Sequence, residues 1–105
     1  MQVFVLPESV SLKSGALCEP LSCILHGWER LMAKSPVQPD SRILITGAGI
    51  IGNLWVTMFH FHGFRDVTVS EPAVGRRKIT EKLGSLNLFE LTSMIMWFQR
   101  LALKL

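Results

Sequence analysis

The sequence has few cysteines, no long apolar run and no concentrated positive charge, and each shortage argues against a class of protein. Only two cysteines are present, Cys18 and Cys23, and residues 1–7 lack the basic start of a secretory signal, so we expect reduced thiols and a cytoplasmic location. No apolar run approaches the roughly 20 residues of a membrane span. The net charge of +3 is mild and basic residues cluster only at 76–78, which does not support nucleic-acid binding.

The length and composition limit the chain to one small domain. Its 105 residues can bury only a small core relative to the surface. A hydrophobic content of 49% is high for so short a soluble domain, which suggests surfaces that something else covers.

What the chain does contain is a glycine motif directly after a short apolar run. Gly47, Gly49 and Gly52 follow residues 42–46, and Glu71 lies nineteen residues beyond the last glycine. In a dinucleotide-binding turn, the first glycine allows the tight turn and the second lets the backbone approach a pyrophosphate. The third lets the following helix pack closely on the sheet, and the acid binds a ribose 2′-OH.

The surroundings of the glycines strengthen a motif that alone is weak. A strand is predicted before them, a helix at residues 50–63 after them, and a second strand at 66–70 that ends at the acid, all within one βαβ unit. The helix N-terminus offers backbone N–H groups and a positive dipole end to phosphate. The predicted cofactor-binding residues are Gly47, Gly49, Ile50, Ile51, Gly52, Glu71 and Arg76.

The rest of the chain divides into a linking segment (1–40), the first half of a dinucleotide-binding domain (41–84) and an atypical apolar tail (85–105). The predicted elements outside the motif are a strand at 3–6, a polar connection at 7–14, a helix at 20–33 that starts at Pro20, a loop at 35–40, a helix at 73–83 stopped by Gly84, and a helical tail. We therefore expect an α/β fold, part of a Rossmann-type doubly wound parallel sheet that a helix precedes.

Residues 3–84 resemble the zinc-containing medium-chain alcohol/polyol dehydrogenases, nearest the sorbitol and threonine dehydrogenase branch. The resemblance is carried by GALCEPLSC (15–23), LHG (25–27), PDSRILI (39–45), the glycine turn and VSEP (69–72). It implies zinc-dependent, NAD(P)-linked oxidation of a small alcohol or polyol. It also implies that Glu19 lies at or near the catalytic zinc.

The same resemblance indicates what this chain lacks. The remaining zinc ligands belong upstream and the nicotinamide-binding half belongs after Gly84, so we expect a truncated form that holds no catalytic residue and is inactive alone. NAD is favoured over NADP, because Glu71 would face a 2′-phosphate as a like charge. Arg76 and Arg77 could instead receive that phosphate, lie over the adenine, or form a solvated helix face.

Two further alternatives remain open at this point. Glu19, Cys23 and His26 would share one face of a helix as a local metal site, although a helix cap, a small packed thiol and a local hydrogen bond are the favoured roles. The chain could also be a non-catalytic protein that associates with a full-length dehydrogenase subunit, or an unstable product without a function.

Overall fold

The computed structural model describes residues 3–82 and residue 100, and this part of the chain is a mixture of helices and strands. The elements in chain order are α1 (Leu12–Gly15), α2 (Cys18–Lys34), β1 (Ile43–Thr46), α3 (Ile50–Phe61), β2 (Val67–Ser70) and α4 (Val74–Lys82). The helix stop predicted at Gly84 and, apart from Arg100, the predicted tail at 85–105 lie outside the described residues.

The two strands pair in parallel, as the sequence predicts for a βαβ unit. Ile43 lies opposite Val67, and the register continues to Thr46 opposite Ser70. Alternate residues of each strand are half-buried and exposed. Parallel strands require a crossover connection, which α3 provides. The described part is therefore an α/β unit with a two-stranded sheet, and the motif turn lies at the carboxyl end of β1.

The core lies mainly between α2 and α3, and α3 also packs on both strands. The three- and four-residue spacing in the sequence of α2 predicts an apolar stripe formed by Leu21, Ile24, Leu25, Trp28, Leu31 and Met32. The structure buries Leu21, Ile24 and Trp28 of this stripe. The buried core cluster consists of Val10, Leu21, Ile24, Trp28, Leu54, Met58, Phe59 and Phe64. Burial of this stripe fixes α3, and with it the motif turn, against the rest of the chain.

Helix α2 begins at Cys18, two residues before the predicted start at Pro20. Proline is tolerated anywhere in the first turn, because backbone N–H groups there have no partner within the helix. The N-cap, Leu17, makes no side-chain hydrogen bond to the helix. The helix ends before Pro36, in the loop that the two prolines predict.

The strand predicted at residues 3–6 is wrong, since these residues have no regular structure. Val3 and Val5 are 80% and 88% exposed, so their apolar side chains bury no common face. The predicted polar connection at 7–14 is also wrong in part, because α1 begins within it. The Ser11 hydroxyl accepts a hydrogen bond from the Ser14 N–H at 3.1 Å and so caps that short helix.

Candidate functional site

The turn after β1 requires glycine at its first and last motif positions for different physical reasons. Gly47 has φ +96°, a conformation that L side chains rarely adopt. A Cβ atom added to Gly52 would collide with the carbonyl oxygen of Gly47. Gly47 is itself held in the sheet, because its N–H donates to the Ser70 carbonyl oxygen at 2.8 Å. The turn is therefore tight, and α3 lies directly against it.

Gly49, which lies between these two glycines, has free space where a side chain would be. A Cβ atom there would meet no described atom within 4 Å, and the φ of −81° is accessible to any residue. Gly49 is the N-cap of α3, and the residues that begin that helix, Ile50 and Ile51, are 54% and 47% exposed. The backbone N–H groups of a first helical turn have no intrahelical acceptors. The turn thus presents a helix N-terminus that, at Gly49, no described residue covers.

A cleft of about 1040 Å³ opens beside this turn, on the β1 side. Its lining comes from the last turns of α2, from β1, from the glycine turn and from α3. These residues are Gly27, Arg30, Leu31, Lys34, Ile43, Leu44, Ile45, Thr46, Gly47, Gly49, Ile50, Ile51, Gly52, Trp55 and Phe59. Five predicted site residues therefore share one cleft, and Glu71 and Arg76 do not line it.

Glu71 lies behind the turn, with its carboxylate directed at the turn's backbone. The Ala48 N–H donates to Oε1 and the Ala73 N–H donates to Oε2, both at 3.4 Å. The Arg76 guanidinium forms an ion pair with Oε1 at 3.5 Å, and the Glu71 side chain is only 6% exposed. Burial alone would raise the pKa of Glu71, but these three hydrogen bonds and the Arg76 charge together lower it.

The two arginines predicted near the cofactor have different environments. Arg76 pairs with Glu71, while 64% of its side chain remains exposed. Arg77 donates from Nη1 to the backbone carbonyl oxygens of Glu71 and Pro72, at 2.7 and 3.1 Å. Arg77 therefore holds the β2–α4 connection, and Arg76 is the arginine whose guanidinium faces the acid.

Asn53 is a site neighbour that the sequence analysis missed. Its Nδ2 donates to the Ala48 carbonyl oxygen at 3.3 Å, and its Oδ1 accepts from the Thr80 hydroxyl at 2.7 Å. The available signal was a polar residue in the first turn of the mostly apolar helix α3, because asparagine has a low intrinsic helix propensity. Its partner is 27 residues away, so no local pattern indicates the contact.

Comparison with the sequences of known proteins places this chain in a family. The chain is 35% identical over 92 residues to a sorbitol dehydrogenase of Arabidopsis thaliana, covering 86% of this chain and 24% of that protein. It is 32% identical to an L-idonate 5-dehydrogenase of Vitis vinifera (88% and 24% covered) and 33% identical to a sorbitol dehydrogenase of Gallus gallus (78% and 22% covered). The chain belongs to the zinc-containing medium-chain polyol dehydrogenase family.

The chain spans about a quarter of the length of the polyol dehydrogenases that it matches. No protein-family model matches it, and no solved structure matches it at a significant level. The comparisons do not support the alternative of a non-catalytic partner of a dehydrogenase subunit. Among the residues that the structure describes, no helix has the length and apolar character needed to cross a membrane.

The zinc that this family implies does not fit the described residues. Within residues 3–82, no three His, Cys, Asp or Glu side chains come together as a set of metal ligands. Glu19, Cys23 and His26 are all exposed on α2, so the packed thiol expected at Cys23 is wrong. Cys18 is the half-buried cysteine, and burial raises the pKa of its thiol. A zinc role for Glu19 stays a prediction for a longer protein that supplies further ligands.

Proposed function

We propose that this chain binds the ADP-ribose portion of NAD at the turn formed by residues 47–52. The observation that carries the proposal is the free space at Gly49, in front of the N-terminus of α3, with the ionised Glu71 carboxylate next to the same turn. Exposed N–H groups and the positive end of the helix dipole favour a diphosphate at that position. The Glu71 carboxylate supplies an acceptor for the hydroxyl groups of the adjoining ribose.

Features on both sides of the turn support this proposal. A carboxylate offers about four acceptor positions, so Glu71 retains capacity for a sugar hydroxyl beside its three present donors. The portion of a dinucleotide beyond the diphosphate would extend into the cleft next to β1. Arg30 and Lys34 give that cleft basic groups, which suits a ligand with two phosphates.

Glu71 favours NAD over NADP in this proposal. A 2′-phosphate would lie against the carboxylate as a like charge, and repulsion between two unit charges 4 Å apart is about 4 kcal/mol at an effective dielectric constant near 20. Arg76 offsets part of this repulsion, but it is already paired with the same carboxylate. We therefore expect NAD to bind more tightly than NADP.

For the whole protein we propose an NAD(P)-linked dehydrogenase that acts on an alcohol or polyol, as the names of its relatives suggest. Nicotinamide would supply the hydride chemistry, and the Gly47–Gly52 turn and Glu71 would hold the cofactor in place. This chain alone is expected to show no turnover, because its described residues form no metal-ligand set.

The test is isothermal titration calorimetry of the 105-residue chain with NAD and with ADP-ribose. Replacing Gly49→Val adds side-chain atoms where the proposed diphosphate lies, and its Cβ meets no described atom within 4 Å, so it should abolish binding of both ligands. Ala33→Val, at an exposed position on α2, is the matched control and should keep the original affinity. Equal affinities of the two variants would show that the ligand does not lie at Gly49.

A further inference from the structure

The side chain of Asn53 connects the glycine turn at residues 47–52 to helix α4. Its orientation follows from the chemistry of its neighbours, because the Ala48 carbonyl oxygen needs a donor and only the Nδ2 end of the amide supplies one. The Oδ1 end then faces Thr80, whose hydroxyl donates to it at 2.7 Å. The turn and α4 are thereby joined across 27 residues of sequence.

This contact determines which way a peptide group of the turn points. In a trans peptide, the carbonyl and the N–H of one unit point in opposite directions. Holding the Ala48 carbonyl oxygen toward Asn53 therefore directs the Gly49 N–H to the opposite side. The preceding peptide unit is fixed as well, since the Ala48 N–H donates to Glu71.

The contacts form a closed ring around the turn. Ala48 bonds to Glu71, Glu71 pairs with Arg76, Arg76 and Thr80 lie one turn apart on α4, and Thr80 returns through Asn53 to Ala48. The Thr80 hydroxyl also lies 3.2 Å from the Arg76 carbonyl oxygen. A displacement of α4 would therefore also displace the backbone of the turn.

We infer that Asn53 is a positioning residue for nucleotide binding, which holds the Ala48–Gly49 peptide so that the Gly49 N–H faces the diphosphate, and that Thr80 supports it from α4. This inference rests on the proposed function, because it assigns Gly49 as a phosphate donor. Asn53 itself contacts the turn and does not line the cleft. Its loss should therefore weaken recognition of the diphosphate and leave recognition of the nucleoside unchanged.

The experiment compares three variants by NMR titration with ADP-ribose and with adenosine, which lacks the diphosphate. Asn53→Leu removes both side-chain bonds, Thr80→Val removes only the support from α4, and Thr57→Val is the matched control. The Thr57 hydroxyl is buried in the same helix and donates to the Asn53 carbonyl oxygen at 3.1 Å, one helical turn away from the glycine turn. The backbone amide resonance of Gly49 responds to a change in the surroundings of its N–H, as a reorientation of this peptide would cause.

We expect Asn53→Leu to weaken ADP-ribose binding about tenfold and Thr80→Val about threefold, as the loss of two partly buried hydrogen bonds and of one, respectively, implies. Both variants should shift the Gly49 amide resonance, whereas Thr57→Val should alter neither the resonance nor the affinity. Adenosine affinity should stay constant in all three.

Different results would contradict the positioning role of Asn53 and the proposed nucleotide binding. Unchanged ADP-ribose affinity in Asn53→Leu, or an equal loss for adenosine, would overturn the positioning role alone. If Asn53→Leu does not fold, unchanged ADP-ribose affinity and Gly49 resonance in Thr80→Val overturn it. Absence of ADP-ribose binding by the unaltered chain would overturn the proposed function and this inference with it.

Discussion

Replacing Gly52→Ala should destabilise this chain strongly, because the added methyl group strikes backbone and not a flexible side chain. The new Cβ would collide with the Gly47 carbonyl oxygen and lie 3.0 Å from its carbonyl carbon. Gly47 cannot move aside, since its N–H bonds to Ser70 in the sheet. Helix α3 must shift instead. Overpacking typically costs 1–3 kcal/mol, and we expect about 3 kcal/mol here.

Thermal unfolding followed by circular dichroism measures this effect. A loss of about 3 kcal/mol corresponds to a fall in Tm of about 12–24 °C for a domain of this size. Gly49→Ala is the matched control, because its Cβ meets nothing and its φ is permitted. It should be neutral or stabilising by about 0.4–1 kcal/mol, through a more restricted unfolded chain. Equal Tm values for the two variants would refute the close packing inferred at Gly52.

Two other predictions concern titratable groups. His62 stacks on Trp28 with ring centroids 4.0 Å apart, and burial lowers its pKa below the ordinary 6.5. The folded state therefore favours neutral His62, so its contribution to stability is complete above pH 6.5 and is lost as the pH falls toward the lowered pKa. His62→Phe should flatten the dependence of Tm on pH between about 7.5 and 5.5, and an unchanged slope would contradict this. Glu71→Gln removes the charge that opposes a 2′-phosphate. Because Arg76 offsets part of that repulsion, calorimetry should show the ratio of NAD to NADP affinity falling by at least about tenfold; a constant ratio would exclude Glu71 as the discriminating group.

The parts of the fold that the sequence predicts correctly are those encoded by local patterns. The apolar stripe of α2, the short apolar run of β1 and the β-rich residues of β2 each lie within a few residues, so they are readable without knowledge of the tertiary structure. The glycine spacing is equally local. Gly47 and Gly52 have the backbone conformation and the close packing that the motif predicts for them. Binding at these residues stays a prediction.

The errors arise where structure depends on a distant partner. The apolar residues at 3–6 satisfy a strand pattern, but a strand needs a neighbour, and none pairs with them among the described residues. Val10 and Phe64 enter the core from connecting segments, which periodicity does not assign to any buried face. The hydrogen bond between Asn53 and Thr80 could not be predicted for the same reason. It joins two helices, and neither residue stands out within its own segment.

The position of Glu71 bears on how the turn could bind a ligand without rearrangement. Its hydrogen bonds to Ala48 and Ala73 are long, and together with Arg76 they lower the pKa of the carboxyl, so it is ionised at neutral pH before any ligand arrives. Because these donors leave acceptor capacity on the carboxylate, a ribose hydroxyl can add to the set without displacing the bond that orients the turn. The acid that would bind the sugar therefore also preorganises the backbone that would bind the phosphate, which reduces the entropy lost on binding.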